Sequence, residues 1–379
     1  MNINHYFDEL VALRRDLHKI PEIAYNECKT ADYICSKLTE YGVSFERCFK
    51  TGVVALIGQG ECIAFRMDLD GLFVTEQNNT AYKSVHEGLM HACGHDGHTA
   101  ILLMTAKILK QYEQDLKMQV KLIFQPAEEG SGGALPMINE GVLQNPPVTK
   151  IFSAHLWPSV PAGKAEYVPG VAFAGSMRYE VIVKGYGGHG AMPQNVKNSI
   201  IPSAHIIMGI EKIHQEEQGS VVSLCAVKAD GMFNVFPSDT SLKGTIRTTS
   251  DSDLERILDK IRALLKETES IFHIETEFIP DFEYPPCVND PQTLEELVAT
   301  AKKAIGEENV RLGEITYGAE DFAYFSMNTK AAHIRIGTRN EQDERTHYPL
   351  HNPKFEIDEA GLLVGVKIFI ALCLPESGK

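Results

Sequence analysis

Nine consecutive residues, Met90-His91-Ala92-Cys93-Gly94-His95-Asp96-Gly97-His98, carry three imidazoles, one thiol and one carboxylate. These are the side chains that bind borderline-soft divalent metals. His86 brings the count to four histidines within 13 residues, out of 14 in the whole chain. The apolar run that follows, Ile101 to Leu109, predicts a buried helix, with Asp96 or Thr99 as its N-cap. Cys93 and His95 then belong to the loop feeding that helix, where the partial positive charge favours thiolate over thiol. The plain alternative is a small buried cysteine among surface histidines.

Three further segments offer partners for this cluster. Phe124-Gln125-Pro126-Ala127-Glu128-Glu129-Gly130 sets two adjacent carboxylates just past an apolar strand, at the sheet edge where α/β folds place their ligands. Neighbours on a turning chain point in different directions, so one carboxylate can bind metal while the other faces water. That is the division a hydrolytic site needs, one ligand and one proton shuttle. A solvated acidic turn would read the same way. Ser153-Ala154-His155-Leu156-Trp157 puts a histidine at the end of another apolar strand, and Leu350-His351-Asn352-Pro353 supplies a late one. Lone histidines in such places are often structural. Arg66-Met67-Asp68-Leu69-Asp70 ends a strand with two carboxylates able to orient a ligand imidazole from behind.

Positioning these groups takes a sheet with helices. Up to Pro158 short apolar strands (Val53–Ile57, Cys62–Met67, Val120–Phe124, Ile151–His155) alternate with helices around Tyr6–His18, Lys29–Tyr41 and Thr99–Tyr112. This is the rhythm of an α/β domain. From Ser176 to Phe282 the rhythm changes. Strands at Arg178–Lys184, Val221–Lys228, Thr240–Thr248 and His273–Ile279 enclose helices at Ser199–Gln215 and Asp251–Ile271. The second helix carries Leu254, Ile257, Leu258, Ile261, Leu264 and Leu265 on one stripe. The order βαββαβ is that of a ferredoxin-like module. The expected layout is a catalytic α/β domain over 1–174 and 285–379, with a ferredoxin-like domain inserted at 175–284.

The chain has 379 residues, 44% hydrophobic and 23% charged, and a net charge of −15. That balance suits a soluble globular protein and disfavours nucleic acid and anionic membranes as partners. An anionic substrate would need a local positive site. The first 21 residues read as an amphipathic helix, neither signal peptide nor membrane span. Eight cysteines show no CxxC and no framework spacing. They are expected to be reduced, which points to the cytoplasm. Gly185-Tyr186-Gly187-Gly188-His189-Gly190 formally fits a dinucleotide fingerprint. However, Pro193 lies where the phosphate-binding helix should start, and no strand ends in an acidic residue about 20 residues on.

At these residues the chain resembles the metal-dependent aminoacylase and carboxypeptidase superfamily of amidohydrolases. It is most similar to the branch holding bacterial N-acyl-amino-acid amidohydrolases, hippurate hydrolases, N-acetyldiaminopimelate deacetylases and plant auxin-conjugate hydrolases. The similarity runs in order through Arg14 to Glu22, Arg66 to Asp70, His91 to His98, Phe124 to Gly130 and Gly187 to Ala191. It continues through Asn234-Val235, Gly244 to Arg247, Glu320-Asp321-Phe322 and His351. The resemblance implies a zinc-peptidase-like α/β domain with an inserted dimerisation or lid domain, and two divalent metals (Zn, Mn, Co or Ni). The ligands it implies are Cys93, His95, Glu129, His155 and His351, with Asp68 and Asp70 behind them. It further implies Glu128 as general base, His189 as the group polarising the scissile carbonyl from its own or the partner subunit, and Asn234 and Arg247 as substrate contacts. Phe73 stands where many relatives have proline, and Tyr186 where a smaller residue often precedes the glycine pair.

The expected reaction is hydrolysis of an N-acyl (acetyl or aroyl) amino acid, with N-acetyldiaminopimelate as one specific candidate. A homodimer through the inserted domain is expected. A dipeptidase or carboxypeptidase is the neighbouring alternative, although no carboxylate in the insert offers a clear site for a free α-amino group. A catalytically silent metal- or ligand-binding relative would have no need of Glu128. A redox role for Cys93 lacks a resolving cysteine nearby.

Overall fold

The computed structural model describes residues 2–130 and 132–374. The chain forms two compact units, Met1–Ala172 with Val288–Glu314 and Asp321–Lys379, and Phe173–Cys287 with Ile315–Glu320.

In the first unit the elements are α1 (Phe7–His18), α2 (Cys28–Tyr41), β1 (Ser44–Cys48), β2 (Gly52–Gly58), β3 (Cys62–Asp68), α3 (His95–Gln111), β4 (Gln119–Gln125), α4 (Ala134–Asn139), β5 (Val148–Pro161) and β6 (Ala165–Tyr167). The second unit is built from β7 (Gly175–Lys184), α5 (Ile200–Glu216), β8 (Val221–Ala229), β9 (Asp239–Thr248), α6 (Asp251–Phe272) and β10 (Glu275–Tyr284). The chain then completes the first unit with α7 (Pro291–Ile305), β11 (Val310–Leu312), α8 (Phe322–Asn328), β12 (Lys330–Arg339) and α9 (Ala360–Cys373).

The first unit holds an eight-stranded sheet in the order β1-β2-β4-β3-β5-β12-β6-β11. Its centre, β4-β3-β5-β12, is parallel. Strands buried on both faces read as continuous apolar runs, which is why β3 is buried at every position. Register aligns the functional ends: Asp68 pairs with Gln125, and Arg66 with Ser153, two residues before His155. Helix α3 is buried along nearly its whole length and joins the core formed by β3, β4, α1 and α9.

Two local expectations need correction. Helix α3 starts at His95, after Gly94 in the left-handed region, and no side chain caps it. Asp96 turns away to meet Arg14 Nε and His18 Nδ1, both at 2.7 Å, and Thr99 Oγ1 donates to the Asp68 carbonyl. Tertiary partners took both candidate caps. His155 lies within β5 and does not end it, because the strand continues against β12 as far as Pro161.

The second unit is a four-stranded antiparallel sheet in the order β8-β9-β7-β10, with α5 and α6 packed on it. In sequence order this is βαββαβ with the first strand beside the third and fourth, the arrangement of a ferredoxin-like module. Ile257, Leu258, Ile261 and Leu265 of α6 are buried, and Ser250 caps its first turn by accepting from Asp253 N. Ile315–Glu320 joins this unit through Thr316, whose carbonyl accepts from Ala174 N, and Tyr317, whose hydroxyl donates to the Gly219 carbonyl. A boundary drawn at 284 leaves that return segment out.

Candidate metal centre

The site forms where β3 and β4 end and α3 begins, beside His155 in the interior of β5. Cys93 Sγ lies 3.4 Å from His155 Nε2. His351 Nε2 lies 3.2 Å from Glu129 Oε1, and His95 Nε2 lies 3.9 Å from the same oxygen. The donor atoms of Cys93, His95 and His155 fall within 4.8 Å of one another, and so do those of Cys93, Glu129 and His351. Two triads sharing one thiol could hold two cations with a common ligand. His95, Glu128 and Glu129 form a third such group.

Hydrogen bonds show which histidine of the motif is available. His155 Nδ1 sits 2.7 Å from the Leu156 carbonyl, so it carries the proton and leaves the Nε2 lone pair facing Cys93. His95 Nδ1 donates to Asp70 at 3.2 Å, and its Nε2 likewise faces inward. His98 is fully used: Nδ1 meets Asp68 at 2.5 Å and Nε2 accepts from Leu156 N at 2.9 Å. His91 is buried beside His18 and lies in none of these groups. Of the motif's three imidazoles, His98 is committed to hydrogen bonds and His91 stands outside the donor groups, which leaves His95 to face Glu129.

Asp70 does more than orient His95. Its Oδ1 also accepts from Glu128 N at 3.1 Å, and its Oδ2 from Glu129 N at 3.0 Å. One buried carboxylate thus fixes an imidazole and both acidic residues. Asp68 instead holds His98 and is itself held by Arg66 Nη1 at 3.0 Å. Arg66 bridges onward to Gln125 and Asp321. The sequence reading missed His98 and this arginine as supports; their burial is the signal, and it shows only in three dimensions.

The electrostatics fit a cation. His95 Nε2 is buried and has no hydrogen-bond partner among the described residues, an expensive state unless something else binds it. Burial, then the charges of Glu129, Glu128 and Asp68, push the Cys93 thiol well above its usual pKa. That overturns the expected helix-terminus thiolate: burial and three carboxylates outweigh a partial charge. A cation among the donors reverses the preference, since a coordinating thiol is deprotonated. Burial, then His98, drives His155 well below the usual imidazole value, so it is neutral. Burial lowers the His95 pKa, but Asp68 and Asp70 raise it further, to about 10. Burial opposes ionisation of Glu129, yet nearby His351 and His95 hold it below the ordinary glutamate value.

The remaining sequence candidates lie in the second unit. His189 and Asn234 meet on a two-stranded ribbon in which Val235 pairs with His189 and the Asn234 carbonyl accepts from Gly190 N. His189 Nδ1 accepts from Ala191 N at 3.1 Å, which places the ring proton on Nε2. Arg247 lies in β9, half-buried, and donates to Thr245 Oγ1 and the Ile246 carbonyl. No helix opens behind Gly190; a short 3-10 turn at Pro193–Asn195 follows it.

The family model described as peptidase family M20/M25/M40 matches residues 64–374. The chain belongs to that family. This M20 chain is 32% identical over 380 residues to IAA-amino acid hydrolase ILR1-like 4 of Arabidopsis thaliana, across 97% of this chain and 86% of that protein. It is 32% identical over 378 residues to N-acetylcysteine deacetylase of Bacillus subtilis (strain 168), across 97% of each. The crystal structure of the Bacillus subtilis YXEP protein, a dinuclear metal binding peptidase, superposes with a TM-score of 0.83 at 30% identity, covering 98% of both chains. As an M20 member the protein is a metal-dependent amidohydrolase acting on amide bonds, and the resemblance read from its motifs holds. Among the described residues no helix is long and apolar enough to cross a membrane.

Proposed function

We propose that the protein hydrolyses the amide bond of N-acyl amino acids, releasing a carboxylate and a free amino acid. The observation that carries this reading is the Asp70 clamp: it sets Glu129 among Cys93, His95 and His351 and leaves Glu128 beside the cluster. Cys93, His95, Glu129, His155 and His351 are the proposed ligands. Two divalent ions held there would supply Lewis acidity, lowering the pKa of water and polarising the amide carbonyl.

Glu128 takes the proton of the attacking water and passes it to the leaving nitrogen as the C–N bond breaks. His189, with its proton on Nε2, donates to the carbonyl oxygen as charge develops there. Asn234, on the same ribbon, and Arg247 are the proposed substrate contacts. The names of the Arabidopsis and Bacillus relatives support an acyl amino acid as substrate, and N-acetyldiaminopimelate stays among the candidates.

A homodimer through the second unit fits its exposed features. Strand β8 is a sheet edge, exposed from Cys225 to Ala229, and α5 exposes Ile200, Ile201 and Met208. Eight cysteines without a disulfide fit a reducing, cytoplasmic setting.

The test is release of free amine from N-acetyl amino acids, N-acetyldiaminopimelate, hippurate and dipeptides by protein loaded with Mn²⁺ or with Zn²⁺. Selective turnover of an acyl amino acid is expected, and Glu128→Gln should keep its metal while losing most turnover. Turnover of dipeptides alone would overturn the substrate class. An active, metal-loaded Glu128→Gln would overturn the role of Glu128.

A further inference from the structure

The turn carrying Glu128 and Glu129 is held at three successive amides, and Asp70 accounts for only two of them. The third, Ala127 N, donates at 2.9 Å to Oε1 of Glu27, a residue 100 positions earlier in the chain. Ala127 is wholly buried and sits at φ +58°, a left-handed conformation that a residue with a Cβ adopts only when its surroundings impose it. Glu27 is also wholly buried, at the start of α2, yet its carboxylate does not cap that helix. Its second oxygen accepts from Thr51 Oγ1 at 2.6 Å, and Thr51 is buried at the turn into β2. Two elements far from the cluster therefore converge, through one carboxylate, on the peptide that precedes Glu128. Glu27 belongs to none of the groups among the described residues that could hold a metal.

We propose that Glu27 is a positioning residue for hydrolysis: by holding the Ala127 amide it fixes the left-handed turn that aims Glu128 at the reacting atoms. The inference rests on the role of Glu128 proposed above. Asp70 alone cannot do this. It anchors the two amides downstream, while the chain direction into Glu128 is set at Ala127. Without Glu27 the Ala127 N–H is a buried donor with no partner, and the turn relaxes toward an ordinary backbone conformation. Small displacements of a catalytic group cost about 10²-fold in rate.

The experiment compares Glu27→Ala, Glu27→Gln, Thr51→Val and Glu128→Gln, each assayed for metal content, thermal melting, kcat and KM on the best N-acyl amino acid. Glu27→Ala should keep its metals and lose about 10²-fold in kcat, with KM within about threefold. Glu27→Gln should stay within about tenfold of wild type, because its amide oxygen accepts from Ala127 N while its NH2 donates to Thr51 Oγ1. A simple packing role would not produce that split or that rescue.

Wild-type kcat in Glu27→Ala overturns the proposal. So does a Glu27→Gln as impaired as Glu27→Ala with metals in place, which would point to a charge or proton role. Should Glu27→Ala fail to fold, Thr51→Val decides: lowered kcat at unchanged KM supports the proposal, and wild-type kcat overturns it. An active Glu128→Gln would sink the reading of Glu128 itself. An inactive Glu128→Gln beside a normal Glu27→Ala sinks only the positioning role.

Discussion

Replacing Asp70 by asparagine removes one acceptor from a carboxylate that serves three donors. Oδ1 holds His95 Nδ1 at 3.2 Å and Glu128 N at 3.1 Å; Oδ2 holds Glu129 N at 3.0 Å. If the asparagine oxygen replaces Oδ1, its NH2 confronts the Glu129 amide, donor against donor. One orphaned buried donor costs about 1–3 kcal/mol. If it replaces Oδ2, the NH2 faces both the Glu128 amide and His95. The imidazole then escapes only by moving its proton to Nε2, which removes the lone pair aimed into the cluster. The first orientation costs less, and its 1–3 kcal/mol corresponds to roughly 5- to 150-fold in binding. That range contains the 10- to 100-fold typical of groups that orient metal ligands from behind. Competition against a chromogenic chelator should therefore show Asp70→Asn binding divalent ions about 10- to 100-fold more weakly. Turnover should remain depressed even at saturating metal, because the Glu129 amide is still displaced. Wild-type affinity together with wild-type turnover would refute the clamp.

Other substitutions test the supports around it. Burial pushes the Glu27 carboxyl up to about 7 from 4.5, against the Thr51 hydrogen bond. A carboxyl raised on folding costs stability above its unfolded pKa, and the cost grows until pH passes the folded value. In protein stripped of divalent ions, Glu27→Gln should match wild type near pH 4.5 and gain up to about 3 kcal/mol by pH 8; a difference in denaturation midpoint that ignores pH would contradict this. Lys121 is buried in β4 and its ammonium donates to the carbonyls of Val142, Asn145 and Pro146 at 2.6, 3.0 and 3.0 Å. Lys121→Met should cost roughly 2–4 kcal/mol, seen as a lower melting temperature, since three acceptors lose a charged donor. A Cβ on Gly133 would lie 1.9 Å from the Pro126 carbonyl oxygen. Gly133→Ala should spring the acidic turn open and empty the metal site, and a full metal complement on atomic emission would show that the turn can yield.

The residue types of the site were legible because metal chemistry restricts them so strongly. Cys93 and His95 announce themselves by clustering ahead of a predicted helix, and the Glu128-Glu129 pair by lying just past the apolar run of β4. What sequence could not resolve was the division of labour among like residues. His95 and His98 differ only in what their ring nitrogens meet, and those partners, Asp70, Asp68 and Leu156 N, come from other strands. The capping expectation at α3 went wrong for the same reason: local propensity named Asp96, but a buried arginine and histidine from α1 claimed it. Glu27 left no mark in sequence at all, because a lone glutamate ahead of a helix reads as a surface residue. Its burial depends on Thr51 and Ala127, and neither is near it in the chain.

The turn at His351 has a consequence for how long the molecule lasts. His351 sits at φ +65°, its amide donates to the Ala92 carbonyl at 2.8 Å, and its side chain is 53% exposed. It thus brings a late stretch of chain against Cys93. A cation shared by Cys93, Glu129 and His351 would fasten together segments that the unfolded chain scatters widely. Such a cation binds the folded form alone and stabilises it by mass action, by about 4 kcal/mol at a thousand times its dissociation constant. Proteolysis and clearance of the enzyme would then follow the supply of divalent ions as closely as its turnover does.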